Sequence, residues 1–231
     1  MPSLTTLMTP LLAGRLDPRP LVGDVEVDLV HATRFDRPDL ARGEGQRPPV
    51  RHGLHAVADQ ADLFLRGRSY ARRQVRQDLE FALQLFENAV AQDPGFALAY
   101  AAMATVCAVY HDLHGREAAW LGRAREAAAK AVALQPDLPE ARVAQAWIHY
   151  ATGETEATLS VVGSVIERKR DTEGAYYLLL LALFSTGRYQ EIAATAEAAI
   201  EASGTDYNVY VPIQNALGAL GKDDALQKMR Q

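Results

Sequence analysis

A single cysteine, Cys107, stands in the 231 residues. Without a second thiol, neither an internal disulfide framework nor a multi-cysteine zinc site can form. Basic charge is in deficit: 24 Lys and Arg against 29 Asp and Glu leave a formal net charge of −5. The whole-molecule positive field that grips nucleic acid is therefore missing. The longest unbroken apolar run, around Tyr176 to Phe184, falls far short of the ~20 residues a membrane span needs. The opening residues, Met1 to Gly14, carry no positive charge before their apolar stretch and include Pro10, unlike a secretory leader. The cytoplasm is the expected compartment. No G-x-S-x-G, H-E-x-x-H or Walker A pattern occurs, nor a kinase glycine-rich loop, H-R-D or D-F-G. No catalytic role and no cofactor are therefore expected. Aromatics are scarce too, at 7% against 48% apolar residues. Ala and Leu fill the gap, and both favour helices.

Proline is unevenly spent. Seven of the eleven lie in the first 49 residues: Pro2, Pro10, Pro18, Pro20, Pro38, Pro48 and Pro49. Proline removes a backbone donor and clashes inside helices, so residues 1–57 do not read as a helical unit. Their seven Arg balance seven Asp plus Glu. Val25, Val27 and Leu29 alternate with Asp24, Glu26 and Asp28, a period of two. A lone strand needs a partner. Residues 1–57 are expected to be a linker or irregular segment, with the main domain over 58–231.

Beyond about Leu54, apolar residues recur at three and four. One spacing rule overlays four segments. Ala82, Phe86, Ala89 and Pro94 are followed by Ala124, Ala128, Ala131 and Pro136. Ala157, Val161, Ser164 and Lys169 come next, then Ile192, Ala196, Ala199 and Gly204. Steps of four and three place small or apolar side chains on one helix face, and the step of five lands on a terminator. Each helix is preceded by another, expected over Ala58–Gln74, Ala97–Leu113, Pro139–Ala151, Glu173–Thr186 and Asp206–Leu220. Gly115, Gly153, Gly187 and Gly221 supply turns. The unit is a helix pair of ~34 residues in tandem. On this register, repeat one carries extra residues around Arg72–Arg76, repeat two carries more over His111–Leu121, and repeats three and five each lack one in the turn.

That period, with Ala175-Tyr176, Leu179, Leu183, Gly187-Arg188-Tyr189 and the Ile192/Ala196/Ala199 set, resembles the tetratricopeptide repeat. The stretches Ala61–Tyr110 and Glu173–Leu217 are similar to the tetratricopeptide regions of bacterial serine/threonine kinases, adenylate cyclases and winged-helix transcription regulators. The resemblance implies an all-α right-handed solenoid of about four and a half repeats, whose first helices line a concave, peptide-binding groove. An alternative it implies is a regulatory or sensory region separated from a kinase, cyclase or regulator.

The family's inward positions fall on Phe64 and Arg68, then Ala101, Thr105 and Ala108, then Val143, Trp147 and Tyr150. Tyr177, Leu181 and Phe184 follow in repeat four, and Val211 and Asn215 in repeat five. Most are apolar, so the expected partner is an apolar protein or peptide segment. A clamp for a terminal carboxylate is not expected, because only Arg68 and Asn215 have suitable polarity. The same aromatic residues could instead be core between repeats, since a slip of one residue would exchange the two roles. The alternating segment Leu21–Val30 is a candidate occupant of the groove. At the other end, Leu226 and Met229 would leave an apolar face uncovered, expected of a piece of a longer array or an incompletely predicted gene, or else of a face buried by self-association.

Other clusters have plain readings. His111 and His114, like His52 and His55, are three apart but lack a third metal ligand, and the first pair is expected on the surface of a long loop. Cys107 reads as a buried apolar group. Arg66, Arg68, Arg72, Arg73 and Arg76 form a local basic patch, expected to be solvated with ion pairs to Asp78 and Glu80.

Overall fold

The computed structural model describes residues 52–204, 206–222, 224 and 225. The Leu21–Val30 segment and the chain beyond Ala225 lie outside the described residues. Among the described residues there are nine α-helices and no strand. They are α1 (His52–Ala71), α2 (Arg76–Gln92), α3 (Ala97–His114), α4 (Ala118–Leu134), α5 (Pro139–Ala151), α6 (Thr155–Arg168), α7 (Ala175–Ser185), α8 (Tyr189–Ser203) and α9 (Tyr210–Ala219). A 3₁₀ turn, Tyr207–Val209, leads into α9. No described helix is long and apolar enough to cross a membrane.

Local chemistry sets the joints. Pro139 opens α5 at a position where its missing N–H costs no helical bond. Gly153 and Gly187 sit at φ +82° and +73° and turn the chain between the helices of their pairs. Asp93, Gln135 and Lys169 close α2, α4 and α6 in extended conformation, each N–H returning to the carbonyl of Ala89, Ala131 or Val165.

Phe64 of α1 packs on Phe86 of α2, from α2 onward each helix packs on the next, and first helices also pack on one another: α3 along α5, α5 on α7, α7 on α9. A helix pair cannot bury its apolar face alone, and stacking completes the core. The architecture is an all-α tetratricopeptide-type solenoid. Small residues allow close approach. Ala82, Ala89, Ala124 and Ala131 are fully buried, and Phe86 fills the space between α1 and α2. Near the other end, Leu180, Ile192, Val209 and Ile213 form a continuous apolar cluster.

Three expectations need correction. In repeat three the buried face of α6 is Thr158, Val162 and Val165, one residue on from Ala157, Val161 and Ser164. The slip comes from Thr158, a polar residue with no exposed surface. Its hydroxyl donates to the carbonyls of Glu154 at 3.1 Å and Ala146 at 3.4 Å, which makes burial tolerable. In the shifted register the missing turn residue of repeat three disappears. Gly153 to Thr158 then spans the same interval as Gly187 to Ile192.

The extra residues of repeat one also do not make a longer loop. Helix α1 ends at Ala71, and α2 begins at Arg76 and runs 17 residues, against 14 for α6. Three added residues make nearly one further turn. In repeat two the expected long loop shrinks to 115–117, because α3 extends to 18 residues and α4 to 17. His111 consequently lies on a helix and is buried, contrary to the expected surface position.

Candidate functional site: an apolar concave cavity under a polar bridge

The first helices α1, α3 and α5 face a shared cavity of about 130 Å³. Residues spaced three and four apart on α3, namely Leu98, Ala101, Thr105 and Val109, present one face to it. Phe64 from α1, Val143 and Trp147 from α5, and Tyr177 from α7 complete the apolar wall. The rings of the wall pack on one another: the Phe64 centroid lies 5.7 Å from that of Phe86 and 5.1 Å from that of Phe96, and the Trp147 centroid 6.0 Å from that of Tyr177.

Seven of the expected groove residues therefore meet at one cavity: Phe64, Arg68, Ala101, Thr105, Val143, Trp147 and Tyr177. The others do not line it. Tyr150 and Leu181 are buried, as is Ala108. Phe184 packs on Tyr189 at 5.4 Å beside the C-terminal core. Asn215 is half-buried, and Val211 is exposed, at 44%.

Polar contacts that sequence spacing does not show join residues lining the cavity. Glu173, just before α7, receives Arg68 Nη2 at 2.5 Å and Arg72 Nη2 at 3.0 Å. Tyr177 donates its hydroxyl to Gln74 Oε1 at 3.1 Å, and Asn208 donates from Nδ2 to the Arg72 carbonyl at 3.0 Å. These contacts join residues 101 to 136 positions apart. They tie the α1–α2 turn to the start of repeats four and five. Gln74, at φ +55°, is the non-glycine residue in the left-handed region among the described ones. Such a conformation costs an L-residue about 1–2 kcal/mol. Neighbours hold it there: its carbonyl meets His114 Nε2 at 2.8 Å, while Arg76 reaches the His114 carbonyl at 2.6 Å.

Electrostatics follow from burial. Burial of Tyr177 pushes its phenol up to about 12, against the lowering influence of its bond to Gln74, so it stays neutral. Tyr150 is raised by burial, and its hydroxyl oxygen has no hydrogen-bond partner. Asp112 is also raised by burial, against the lowering influence of Arg116, which lies 3.6 Å away. Arg68 Nε is buried without a partner, while its guanidinium lies 5.7 Å over the Phe64 ring.

The remaining candidates have local roles. Cys107 is buried, and burial lifts its thiol to about 11, which suppresses the nucleophilic thiolate. His114 is engaged with Gln74. Among the described residues no group of three His, Cys, Asp or Glu could hold a metal. Arg73 pairs with Asp78 at 3.6 Å, whereas Glu80 accepts from Tyr110 at 2.8 Å instead of pairing with arginine.

No protein-family model and no curated protein matches the chain. Among solved structures, it is similar to a crystal structure of MamA protein. The identity is 19%, over 74% of this chain and 88% of that one, with a TM-score of 0.42. A tetratricopeptide repeat protein from Parabacteroides merdae matches at 15% identity, over 74% of this chain and 64% of that one, with a TM-score of 0.41. The assignment of the fold rests on the helix pairs described above.

Proposed function

We propose that the chain is a non-catalytic module that binds an apolar segment of a protein partner on its concave face. One observation carries this reading: Phe64, Val143, Trp147 and Tyr177 converge on a single cavity reached from the first helices. Aromatic anchors around a desolvated pocket are the usual source of binding energy at protein interfaces. The fold offers a surface, and in it the Cys107 thiol is buried and His114 is engaged with Gln74. The test is selection of displayed random peptides on wild-type protein and on a Trp147→Ala, Tyr177→Ala double variant that keeps its helical circular dichroism. Recovery of the same peptides with equal affinity on both would refute the assignment.

A second reading makes the array the regulatory or sensory region of a cytoplasmic bacterial signalling protein. It is carried by the likeness of Ala61–Tyr110 and Glu173–Leu217 to such regions. A kinase, cyclase or winged-helix coding sequence joined to this one would support it. Neighbouring coding sequence with none of these would count against it.

A further inference from the structure

The bridge at the cavity has the chemistry of an occupied binding site. Glu173 sits where two arginines converge, and a carboxylate between guanidinium groups is a strong charge-assisted arrangement. Both partners remain about a third exposed, with side-chain exposure of 32% for Arg68 and 35% for Glu173. Water can therefore compete, and each exposed pair is individually weak. Arg68 Nε, buried and unpartnered, shows that the guanidinium's donors are not used up by Glu173. The other carboxylates at the cavity are committed elsewhere. Glu140 meets Lys169 at 3.5 Å, and Asp206 accepts the Asn208 N–H at 3.1 Å.

We propose that Glu173 is a built-in competitor that occupies the arginine pair at the concave cavity and latches the α1–α2 turn to repeat four, and that the partner is a peptide whose acidic side chain displaces it from Arg68 and Arg72 while adjacent apolar side chains enter beside Phe64 and Trp147. This rests on the reading of the concave face as a peptide site and adds the partner's charge and the means of its admission. Release of Glu173 frees the α1–α2 turn from repeat four. The turn's remaining ties there, the Tyr177–Gln74 and Asn208–Arg72 bonds, are two neutral hydrogen bonds. Such neutral bonds are modest in net strength, so removing the ion pairs takes away a substantial share of the tie.

Two measurements test the proposal. In the absence of ligand, amide hydrogen exchange of residues 72–75 and 206–209 reports opening of the joint. Glu173→Gln should accelerate it about three- to tenfold, the equivalent of losing one to two such ion pairs, without loss of helical content. Peptides are then selected from a displayed random library on wild type, Glu173→Gln, and Arg68→Gln with Arg72→Gln. The expected wild-type binders pair Asp or Glu with aromatic or aliphatic residues. They should bind Glu173→Gln more tightly by the factor seen in exchange and lose their acidic preference on the double arginine variant. Unchanged exchange in Glu173→Gln overturns the latch. Acidic enrichment that is absent, or that survives removal of both arginines, overturns the proposed partner. Accelerated exchange with no peptide recovered on any variant upholds the latch and refutes the peptide-binding reading itself.

Discussion

A methyl group added at Gly67 should destabilise the molecule, although it improves the helix. Gly67 lies inside α1, where glycine costs about 0.8–1 kcal/mol relative to alanine. A Cβ at this position would stand 2.5 Å from Phe86 Cε1 and 2.8 Å from Cδ1. Phe86 has no exposed surface, so its ring can yield only by shifting within the core toward the cavity it borders. Overpacking of this kind costs typically about 1–3 kcal/mol. The two terms oppose, and the clash wins by up to about 2 kcal/mol. Gly163, inside α6, is the matched control, because nothing lies within 4 Å of a Cβ built there. Gly163→Ala should gain up to about 1 kcal/mol from propensity alone. For a chain of this size, 1 kcal/mol corresponds to roughly 2–4 °C in melting temperature. Scanning calorimetry and urea titration of the two variants beside wild type would therefore show shifts of opposite sign. If Gly67→Ala melts at or above the Gly163→Ala temperature, the close α1–α2 crossing is wrong.

Three further outcomes follow from the packing. Val162→Ala should cost about 2 kcal/mol, because its side chain is fully buried. Val161→Ala should cost well under half of that, and urea midpoints in the reverse order would restore the unshifted register. Tyr150→Phe should stabilise by about 1 kcal/mol, since it removes a buried hydroxyl that has no partner; a loss of that size would reveal a bond to the hydroxyl. His111 has its pKa lowered below 6.5, by burial first and then by Arg116. As the pH falls below 6.5 the unfolded chain takes up a proton that the folded chain does not, so stability declines until the lowered folded value is passed. His111→Gln should flatten that segment of the stability–pH curve, and an unaltered slope would contradict the burial.

The helix pairs were legible because their signals are local. Steps of three and four, with glycine at Gly153 and Gly187, define a face and a turn within one unit. Where the signal failed, a residue's type disagreed with its environment. Thr158 is polar and buried, so the register slid to its neighbour Ala157. Gln74 takes the left-handed turn that glycine takes elsewhere, so α1 appeared to run on past Ala71. Added residues in repeats one and two read as loops because nothing in composition separates another helical turn from an insertion. Seven groove positions came together because they obey the 3.6-residue period on α1, α3, α5 and α7. The Glu173 bridge could not be found in this way. Its partners lie about a hundred residues away and share no spacing, and only the curvature of the stack brings them together.

That long-range tie alters how the chain comes apart. A linear stack of repeats ordinarily frays from either tip, one unit after another, because each unit leans only on its neighbours. Here the leading helix pair is also tied to the fourth, so peeling it away must break those contacts as well. Unzipping from the amino end should thus be resisted, and the melting of the first four pairs should merge into one sharper event, as in a chain necklace with its clasp done up.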